Sequence, residues 1–528
     1  MPRVLEAKGA AELLEDGDTL AMCGQGSMLI ADDVLKAIES RFLATGHPRN
    51  LTMFEPCNAG MKRGTGVERL GQPGLLKRVI ASAFPVWDEP RVGRMIVQGE
   101  IEGYNFPMGS LYQLVRDIGA GRPGLLTQVG LHTFVDPRYG GGRLNARTTE
   151  DMVRLHTLDG QEYLFYPAFP IQVALIRGTT ADEAGNLSME REPVTLGVLA
   201  LAIAAKNSGG TVIAQVERLA GRRAQPPKSV IVPGRLIDAI VVAPDQEQTA
   251  EGRYNPYITG ELPTAIGRTP YPPGPSKALL RRALLELKQG DLVNLGVGIP
   301  ADLPTLLLEL NAENLVTFST EHGAVGGIPA PMPLFGAHLN PEALLDPTSV
   351  FDLYDGGGLD ISFLGLAQAD EAGNINVSKY GGILPGCGGF IDITSRTRRL
   401  VFCGMFTAKG TKVDLVDGRL RIVQEGQVRK FLRKVDQVTL NGRAALARGQ
   451  DVIIITERCV LKLRPDGWEL AELAPGVDVD RDLLPGMEFP IQAGPGCRQS
   501  LDPIYDMTTA GDRRFADLFM ERLGAGGR

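Results

Sequence analysis

Short apolar runs alternate with amphipathic stretches along this chain, in the order strand, glycine loop, helix, strand. The first such unit starts with the apolar run 19–22, which precedes a glycine loop at 24–26. A helix is predicted next, with Asp32 or Asp33 as its N-cap, and a further strand is predicted at 51–54. This order of elements is half of a doubly wound α/β unit.

The second half of the chain repeats this order. The apolar run 292–295 is followed by a glycine loop, by a helix with leucines on one face, and by the apolar run 315–318. The hexapeptide ADEAGN also occurs twice, at 181–186 and at 369–374, and each copy follows an apolar run. A single long-period repeat indicates two related halves rather than a solenoid. We therefore expect the α/β fold class, with two related doubly wound α/β domains in one chain.

A proline-rich stretch separates the two halves. Prolines and polar residues across 244–276 are incompatible with an interior helix or a central strand. We therefore predict an N-terminal domain at 1–245, a linker at 246–276 and a C-terminal domain at 277–528.

One carboxylate occupies a position that favours chemistry. Glu321 lies in the segment FSTEHGAVGGIP and comes just after the apolar run 315–318. It is therefore expected where a strand gives way to a loop, which is where α/β sheets place their active sites. The alternative is a Glu that caps the next helix. The first half has Cys57 and Asn58 near the corresponding position, so only the second half supplies a carboxylate there.

Composition narrows the class of protein. The net charge is −7 and no long Lys/Arg run occurs, which argues against a nucleic acid or an anionic membrane as partner. The six cysteines form no C-x-x-C pair and are interpreted as buried thiols in a reducing compartment, and the five histidines lack metal-ligand spacing. No signal peptide or membrane-spanning run is recognised. We expect a cytoplasmic protein with no metal site.

Several stretches, in a fixed order, resemble the family I CoA-transferases. They are 41–43, 46–48, 121–124, 135–138, 205–210, 293–300 and 320–329. The resemblance is to the fused single-chain kind, similar to acetate and propionate CoA-transferases, with an alpha-subunit-like first domain and a beta-subunit-like second domain. It implies a transferase of sulfur-containing groups (EC 2.8.3.-) that moves CoA from an acyl-CoA to a free, short-chain carboxylate. It further implies ping-pong kinetics through a glutamyl-CoA thioester, no tightly bound cofactor, and a homo-oligomer, either a dimer or a tetramer.

The resemblance also implies roles for individual residues. By motif match Glu321 is the covalent nucleophile, and Gly388 or Gly389 supplies a backbone donor to the oxyanion. The residues matched to CoA contacts are Gly296, Val297, Gly298, Asn376 and Lys409.

The residues alone leave simpler alternatives for each of these positions. The glycines can serve a tight turn at 386–390 and a close strand-to-helix turn at 296–298. Asn376 can be an ordinary turn residue, and Lys409 can simply face solvent.

The chain departs from the family pattern at two positions. The family's S-E-N-G is replaced by T-E-H-G, which places His322 beside the nucleophile, where an imidazole could contact the acyl group or shift the pKa of Glu321. Met108 stands where relatives carry Gln, which predicts a less polar acyl pocket than that of a 3-oxoacid or dicarboxylate enzyme. Two other functions stay open: an acyl-CoA hydrolase that uses the same glutamate, and a non-catalytic CoA-binding protein.

Overall fold

The computed structural model describes residues 1–60, 64–86 and 90–524, so residues 525–528 of the predicted C-terminal domain lie outside it. The chain forms two compact units. Unit 1 consists of Met1–Thr264, Thr320–Asp352 and Gly381–Asp392, and unit 2 consists of Ala265–Ser319, Leu353–Tyr380 and Ile393–Arg528. The first change of unit along the chain therefore falls inside the range 246–276, and Glu321 belongs to the unit built mainly from the first half of the chain.

Unit 1 is built around a parallel sheet. Its strand order is Arg3–Leu5, Ala239–Val242, Thr211–Ala220, Val173–Asp182, Thr19–Met22, Leu51–Glu55, Leu76–Ala81 and Glu102–Asn105. All neighbours along this order pair in parallel. The chain builds the sheet outward from Thr19–Met22 in one direction and then returns to build the other side, which is the doubly wound arrangement.

Helices and smaller strands complete unit 1. The helices that lie wholly within it are Ala7–Ala11, Asp32–Thr45, Arg91–Val97, Met108–Gly119 and Val198–Asn207. The smaller strands of its first segment are Gln25–Gly26, Asn58–Ala59, Gly124–Thr127, Arg154–Leu158, Gln161–Pro167, Leu187–Ser188 and Val230–Val232. Two helices, Pro347–Asp355 and Phe390–Arg396, contain a change of unit.

The first predicted helix forms, but its predicted cap is wrong. The helix spans Asp32–Thr45, and its N-cap is Ala31, which makes no side-chain cap hydrogen bond. The carboxylate of Asp32 instead accepts hydrogen bonds from the Gly66 N–H at 2.9 Å and from Arg69 Nε at 2.8 Å. The Asp32 side chain, which the local sequence assigns to the helix end, is therefore used in an ion pair with Arg69 instead.

Unit 2 has a sheet of the same type with an antiparallel extension. Its strand order is Thr317–Phe318, Leu292–Leu295, Ile361–Leu364, Arg399–Cys403, Asp451–Ile455, Cys459–Arg464, Gly467–Leu473 and Gln492–Gln499. Its smaller strands are Gln368–Asp370, Ile375–Asn376, Thr407–Ala408, Lys412–Val416, Arg419–Gln424, Val428–Arg429 and Phe431–Leu432. The helices that lie wholly within it are Pro275–Leu284, Leu303–Glu309, Gly442–Ala447, Asp502–Tyr505 and Thr509–Arg522. Two α/β units of this kind confirm the predicted fold class.

The repeated hexapeptide forms the same hydrogen-bonded turn in each unit. In unit 1, Asp182 Oδ1 accepts from the Asn186 N–H and Oδ2 accepts from Asn186 Nδ2, at 2.9 and 3.0 Å. In unit 2, Asp370 accepts from Asn374 in the same way, at 2.9 and 3.1 Å. The sequence repeat is therefore also a structural repeat.

The segments 320–352 and 381–392 of unit 1 contain little regular structure. Two short antiparallel pairs occur in the first segment, Ala324–Val325 with Ala343–Leu344 and Ile328–Pro329 with His338–Leu339. Within the described ranges, no helix combines the length and apolar character needed to cross a membrane.

Candidate active site

Glu321 lies on a tight turn that follows the strand Thr317–Phe318 along the chain. The Gly323 N–H donates to the Thr320 carbonyl at 3.0 Å and closes the turn. Gly323 has a φ of +125°, and a Cβ there would lie 2.2 Å from the Leu345 carbonyl oxygen, so only glycine fits. Glu321 is 8% exposed, and the chain continues into short strands, so the helix-cap alternative for Glu321 is wrong.

Cys57 is the neighbour of Glu321 from the first half of the chain. Burial raises the pKa of the Cys57 thiol well above its ordinary value, and the charges of Glu55 and, to a smaller extent, Glu321 add to this shift. The Cys57 Sγ lies 2.7 Å from Gln25 Oε1 and donates to it. Cys57 is therefore a neutral thiol beside the candidate nucleophile, and the two positions that the sequence matched between the halves lie near each other in unit 1.

The glycine segment after residue 385 reaches the same region of unit 1. The Gly388 N–H donates to the Ser82 carbonyl at 2.8 Å, and Ser82 Oγ lies 3.4 Å from the Cys57 carbonyl. The Gly388 N–H is therefore already occupied by a protein acceptor. Gly389 is buried, and within the described part of the chain its N–H has no hydrogen-bond acceptor. Of the two predicted donors, Gly389 is the one that stays available.

Asn105 holds this glycine segment, and sequence reasoning did not single it out. Asn105 Oδ1 accepts from the Cys387 N–H at 2.9 Å, while Nδ2 donates to the Ala81 and Ser82 carbonyls at 3.0 and 2.6 Å. The side chain is fully buried. Its position at the carboxyl end of the strand Glu102–Asn105 was the available signal, because the same rule drew attention to Glu321.

Asp392 makes a second connection within unit 1. Its carboxylate accepts from the Gly109 and Ser110 N–H groups at 3.1 and 3.2 Å, in the first turn of the helix Met108–Gly119. A negative charge at a helix N-terminus is favourable because the first N–H groups of a helix lack intrahelical acceptors. The start of this helix, including Met108, is thereby fixed relative to the glycine segment.

The residues matched to CoA contacts all lie in unit 2. The loop of Gly296, Val297 and Gly298 follows the strand Leu292–Leu295, and Val297 is 51% exposed. A Cβ at Gly365 would lie 3.1 Å from the Val297 carbonyl oxygen, so this loop packs closely against the next strand's end. The loop is open to a ligand on its outer side.

The side chain of Asn376 makes its hydrogen bonds to residues of its own segment. It is fully buried, and its Nδ2 donates to Gln368 Oε1 at 2.7 Å and to the Lys379 carbonyl at 2.8 Å. Its Oδ1 accepts from the Ser378 N–H at 3.0 Å. Because the whole carboxamide is used internally, this geometry favours the turn alternative over direct contact with CoA.

Lys409 is exposed directly after the strand Thr407–Ala408, and its φ is +59°. A second lysine, Lys430, is more buried, and the sequence analysis did not single it out. A Cβ at Gly404 would lie 3.1 Å from Lys430 Nζ, and burial lowers the pKa of this amine, with the charge of Glu457 opposing the shift. Lys430 thus places an ammonium at the carboxyl edge of the unit 2 sheet, next to the end of Arg399–Cys403.

Among the described residues, no group of three or more His, Cys, Asp or Glu side chains could hold a metal ion. The cysteines Cys23, Cys57, Cys387, Cys403 and Cys459 are buried free thiols, whereas Cys497 is partly exposed.

Comparison with known proteins identifies the family. Residues 4–243 match the family model described as Coenzyme A transferase. The chain is 46% identical over 503 residues to caffeate CoA-transferase of Acetobacterium woodii, with 93% of this chain and 94% of that protein covered. It is 40% identical over 489 residues to acetate CoA-transferase YdiF of Escherichia coli K12, with 92% of each covered.

Solved structures agree with the sequence comparison. The crystal structure of the acyl-CoA transferase YdiF apoenzyme from Escherichia coli O157:H7 matches with a TM-score of 0.91 and 38% identity, covering 96% of this chain and 97% of that chain. The thioester complex of the same protein with CoA matches with a TM-score of 0.90. The chain therefore belongs to the coenzyme A transferase family and is a CoA-transferase of the fused, single-chain form.

Proposed function

We propose that this enzyme transfers CoA from an acyl-CoA to a free carboxylate by a ping-pong reaction through a covalent glutamyl-CoA thioester on Glu321. The observation that carries the proposal is the position of Glu321. This nearly buried carboxylate lies on a glycine-fixed turn, next to a neutral thiol, in the same unit as a glycine segment that offers a backbone donor.

The chemistry uses the carboxylate as a nucleophile. A Glu321 oxygen attacks the acyl carbonyl carbon, the carbon–sulfur bond breaks, and a mixed anhydride and CoA thiolate result. The thiolate attacks the glutamyl carbonyl, the acyl carboxylate leaves, and the glutamyl-CoA thioester remains. An acceptor carboxylate reverses these steps, which yields a new acyl-CoA and restores Glu321. No proton or outside energy source is needed.

Each tetrahedral intermediate carries an oxyanion, and the Gly389 N–H is the proposed donor to it. Removal of one such donor typically reduces kcat by about 10²- to 10³-fold, so its placement matters. Asn105 contributes by holding the neighbouring Cys387 N–H. Cys57 contributes by staying protonated, because a second negative charge beside Glu321 would oppose the approach of an anionic acceptor.

CoA recognition is proposed for unit 2. The exposed loop of Gly296, Val297 and Gly298 is suited to close backbone approach, and the Lys409 and Lys430 ammonium groups are suited to CoA phosphates. For Asn376 we propose a supporting role, since its carboxamide is used by Gln368 and Lys379.

The relatives named above act on different acids, caffeate in one case and acetate in the other. A short-chain carboxylate stays our prediction for the acceptor. A homo-oligomer, a dimer or a tetramer, and a cytoplasmic location are likewise proposed, from the family resemblance.

The rival functions are separated by acceptor dependence. We expect acetyl-CoA to be consumed only when propionate is present, with propionyl-CoA as the product, and we expect Glu321→Gln to abolish this exchange. Glu321→Asp should reduce the rate strongly, because the nucleophile is withdrawn by one methylene group. CoA release without an added carboxylate would instead show a hydrolase. CoA binding with neither release nor exchange, across a panel of acyl-CoAs, would show a non-catalytic binding protein.

A further inference from the structure

A cavity of about 270 Å³ lies at the carboxyl edge of the unit 1 sheet, and its lining includes none of the residues assigned to the reaction. Strands are added first on one side of Thr19–Met22, and the chain then returns to the other side of it with Val173–Asp182. The cavity lies where these two strands meet, because it is lined by Ser27 and Ile30, which follow the first strand, and by Arg177 of the second. Open α/β sheets bind ligands where the strand order changes direction in this way, so the cavity is a candidate ligand site.

Arg177 supplies a buried donor to this cavity. It is 3% exposed, its Nε donates to Glu192 Oε1 at 2.9 Å, and its Nη1 donates to the Ile30 carbonyl at 3.1 Å. Among the residues that the structure describes, no acceptor takes a hydrogen bond from Nη2. Ser27 adds a second donor, because its Oγ accepts from the Ala250 N–H at 2.8 Å and its hydroxyl hydrogen stays available. One buried guanidinium nitrogen and one hydroxyl group are therefore left for the oxygen atoms of a ligand.

Asp33 supplies an acceptor to the same cavity. It is exposed, and within the described ranges its carboxylate neither accepts a hydrogen bond nor forms an ion pair. The lining contains three further carboxylates, those of Asp32, Asp245 and Glu247. Arg69 Nη2 lies 2.7 Å from Asp32 Oδ2, and Arg253 Nη1 lies 3.0 Å from Asp245 Oδ1, so these two charges are balanced within the chain. The carboxylate of Asp33 therefore favours a cationic group of the ligand.

The helix Asp32–Thr45 begins at the cavity, but its first turn is already paired within the protein. Gln215 Oε1 accepts from the Asp33 and Val34 N–H groups at 3.1 and 3.3 Å. The Gln215 side chain is itself held in place, because its Nε2 donates to Gln246 Oε1 at 3.2 Å. Recognition of an anionic group in this cavity therefore falls to the two donors named above and not to the start of the helix.

We propose that this cavity binds a small zwitterion, whose carboxylate accepts from Arg177 and Ser27 and whose ammonium group donates to Asp33. An anion without an ammonium group would meet the carboxylates of the lining, and a simple amine would leave Nη2 of Arg177 without an acceptor. A zwitterion satisfies both sides of the cavity, and its hydrogen bonds are charge-assisted. The inference is independent of the proposed function, because none of these three residues takes part in the transfer.

Zwitterions of increasing length test this binding on the full chain without CoA. Isothermal titration calorimetry is run with glycine, β-alanine, 4-aminobutyrate and 6-aminohexanoate, in which a growing number of methylene groups separates the two charges. We expect one molecule of the best-fitting member to bind per chain. Its affinity should exceed that of the amine and of the carboxylate of matched length by about 10-fold or more, because each control lacks one charge-assisted interaction. For 4-aminobutyrate these controls are butylamine and butyrate.

Variants then test the assigned residues. Arg177→Gln should weaken the binding by about 10-fold or more, and Asp33→Asn should weaken it by roughly 3- to 5-fold, since Asp33 is exposed. Ala250→Leu should abolish the binding, because the larger side chain fills the cavity without a change of charge. Asp159→Asn is the matched control, because Asp159 is also exposed but does not line the cavity, and its affinity should equal that of the wild type. If Arg177→Gln fails to fold because it leaves a buried carboxylate unpaired, Asp33→Asn and Ala250→Leu decide the question.

The outcomes distinguish this site from the proposed active site. Glu321→Gln should bind the zwitterion as the wild type does, and a loss of binding in that variant would place the ligand at Glu321 and overturn the inference. The inference is also overturned if no zwitterion binds more tightly than its matched amine and carboxylate, or if Asp33→Asn and Ala250→Leu both bind it as the wild type does. Because the titrations contain no acyl-CoA, a failure here leaves the transfer through Glu321 standing, and a failure of transfer leaves this site standing.

Discussion

Replacing Asn105 with Ala should loosen the glycine segment that carries the proposed oxyanion donor. The change removes the acceptor of the Cys387 N–H and the donor to the Ala81 and Ser82 carbonyls. The helix Met108–Gly119 should stay folded, because its own hydrogen bonds do not involve Asn105.

The size of the effect on local opening depends on whether the groups that Asn105 binds keep another hydrogen-bond partner. The Ala81 carbonyl still accepts from the Phe106 N–H at 3.2 Å, and the Ser82 carbonyl still accepts from the Gly388 N–H at 2.8 Å. The Cys387 N–H loses its acceptor and becomes a buried unpaired donor. One such group, with the small cavity left by the amide, lowers the free energy of local opening by about 2–3 kcal/mol. That is roughly a 30- to 150-fold change in the opening equilibrium.

Hydrogen exchange of the peptide 384–392, followed by mass spectrometry, measures this opening directly. We expect Cys387 and its neighbours to exchange roughly 30- to 150-fold faster in Asn105→Ala. Asn207→Ala is the control, because Asn207 donates to the Gly119 carbonyl at 2.6 Å, at the other end of the same helix. Exchange within twofold of the wild type in Asn105→Ala, with the fold intact, would refute the role assigned to Asn105.

Three further changes test other parts of the structure. Gly323→Ala should lower the free energy of unfolding by several kcal/mol, because its Cβ would lie 2.2 Å from the Leu345 carbonyl oxygen. Gly17→Ala is the control, because open space surrounds Gly17, and it should cost only ~1 kcal/mol. Denaturation midpoints measure both changes, and equal effects would contradict the prediction. Burial lowers the pKa of His338 from 6.5 to about 4, so the folded protein resists protonation that the unfolded chain accepts. The free energy of unfolding is therefore unaffected by this group above pH 6.5 and falls by about 3 kcal/mol as the pH drops to 4. Urea midpoints should show this loss in the wild type and a smaller one in His338→Leu. Met108→Gln should raise kcat/KM for acetoacetyl-CoA relative to butyryl-CoA by about 10-fold, and an unchanged ratio would reject the apolar-pocket prediction.

The strands of the parallel sheets could be predicted from sequence because their apolar runs are short and sharply bounded. Thr19–Met22 and Leu292–Leu295 form as expected, and the duplicated ADEAGN sequence by itself indicates two related units. The N-cap at Asp32 was wrong because local rules do not see Arg69, 37 residues away.

The residues that hold the site in place are harder to predict from sequence than its nucleophile. Glu321 stands out because it follows a strand and precedes glycines, which is a local signal. Asn105 and Asp392 act on partners 282 or 283 residues away in sequence, so no local pattern indicates either pairing. Asn376 shows the converse, because a motif match suggested a ligand contact where the side chain completes its own turn.

The covalent intermediate on Glu321 is the claim on which the rest depends. After brief incubation with acetyl-CoA alone, mass spectrometry of the peptide that contains Glu321 should show a CoA adduct, or its reduced product after borohydride trapping. Addition of propionate before trapping should discharge the adduct, and Glu321→Gln should give none. Acyl exchange at the normal rate without an adduct on this peptide, or with the adduct on another residue, would contradict the account.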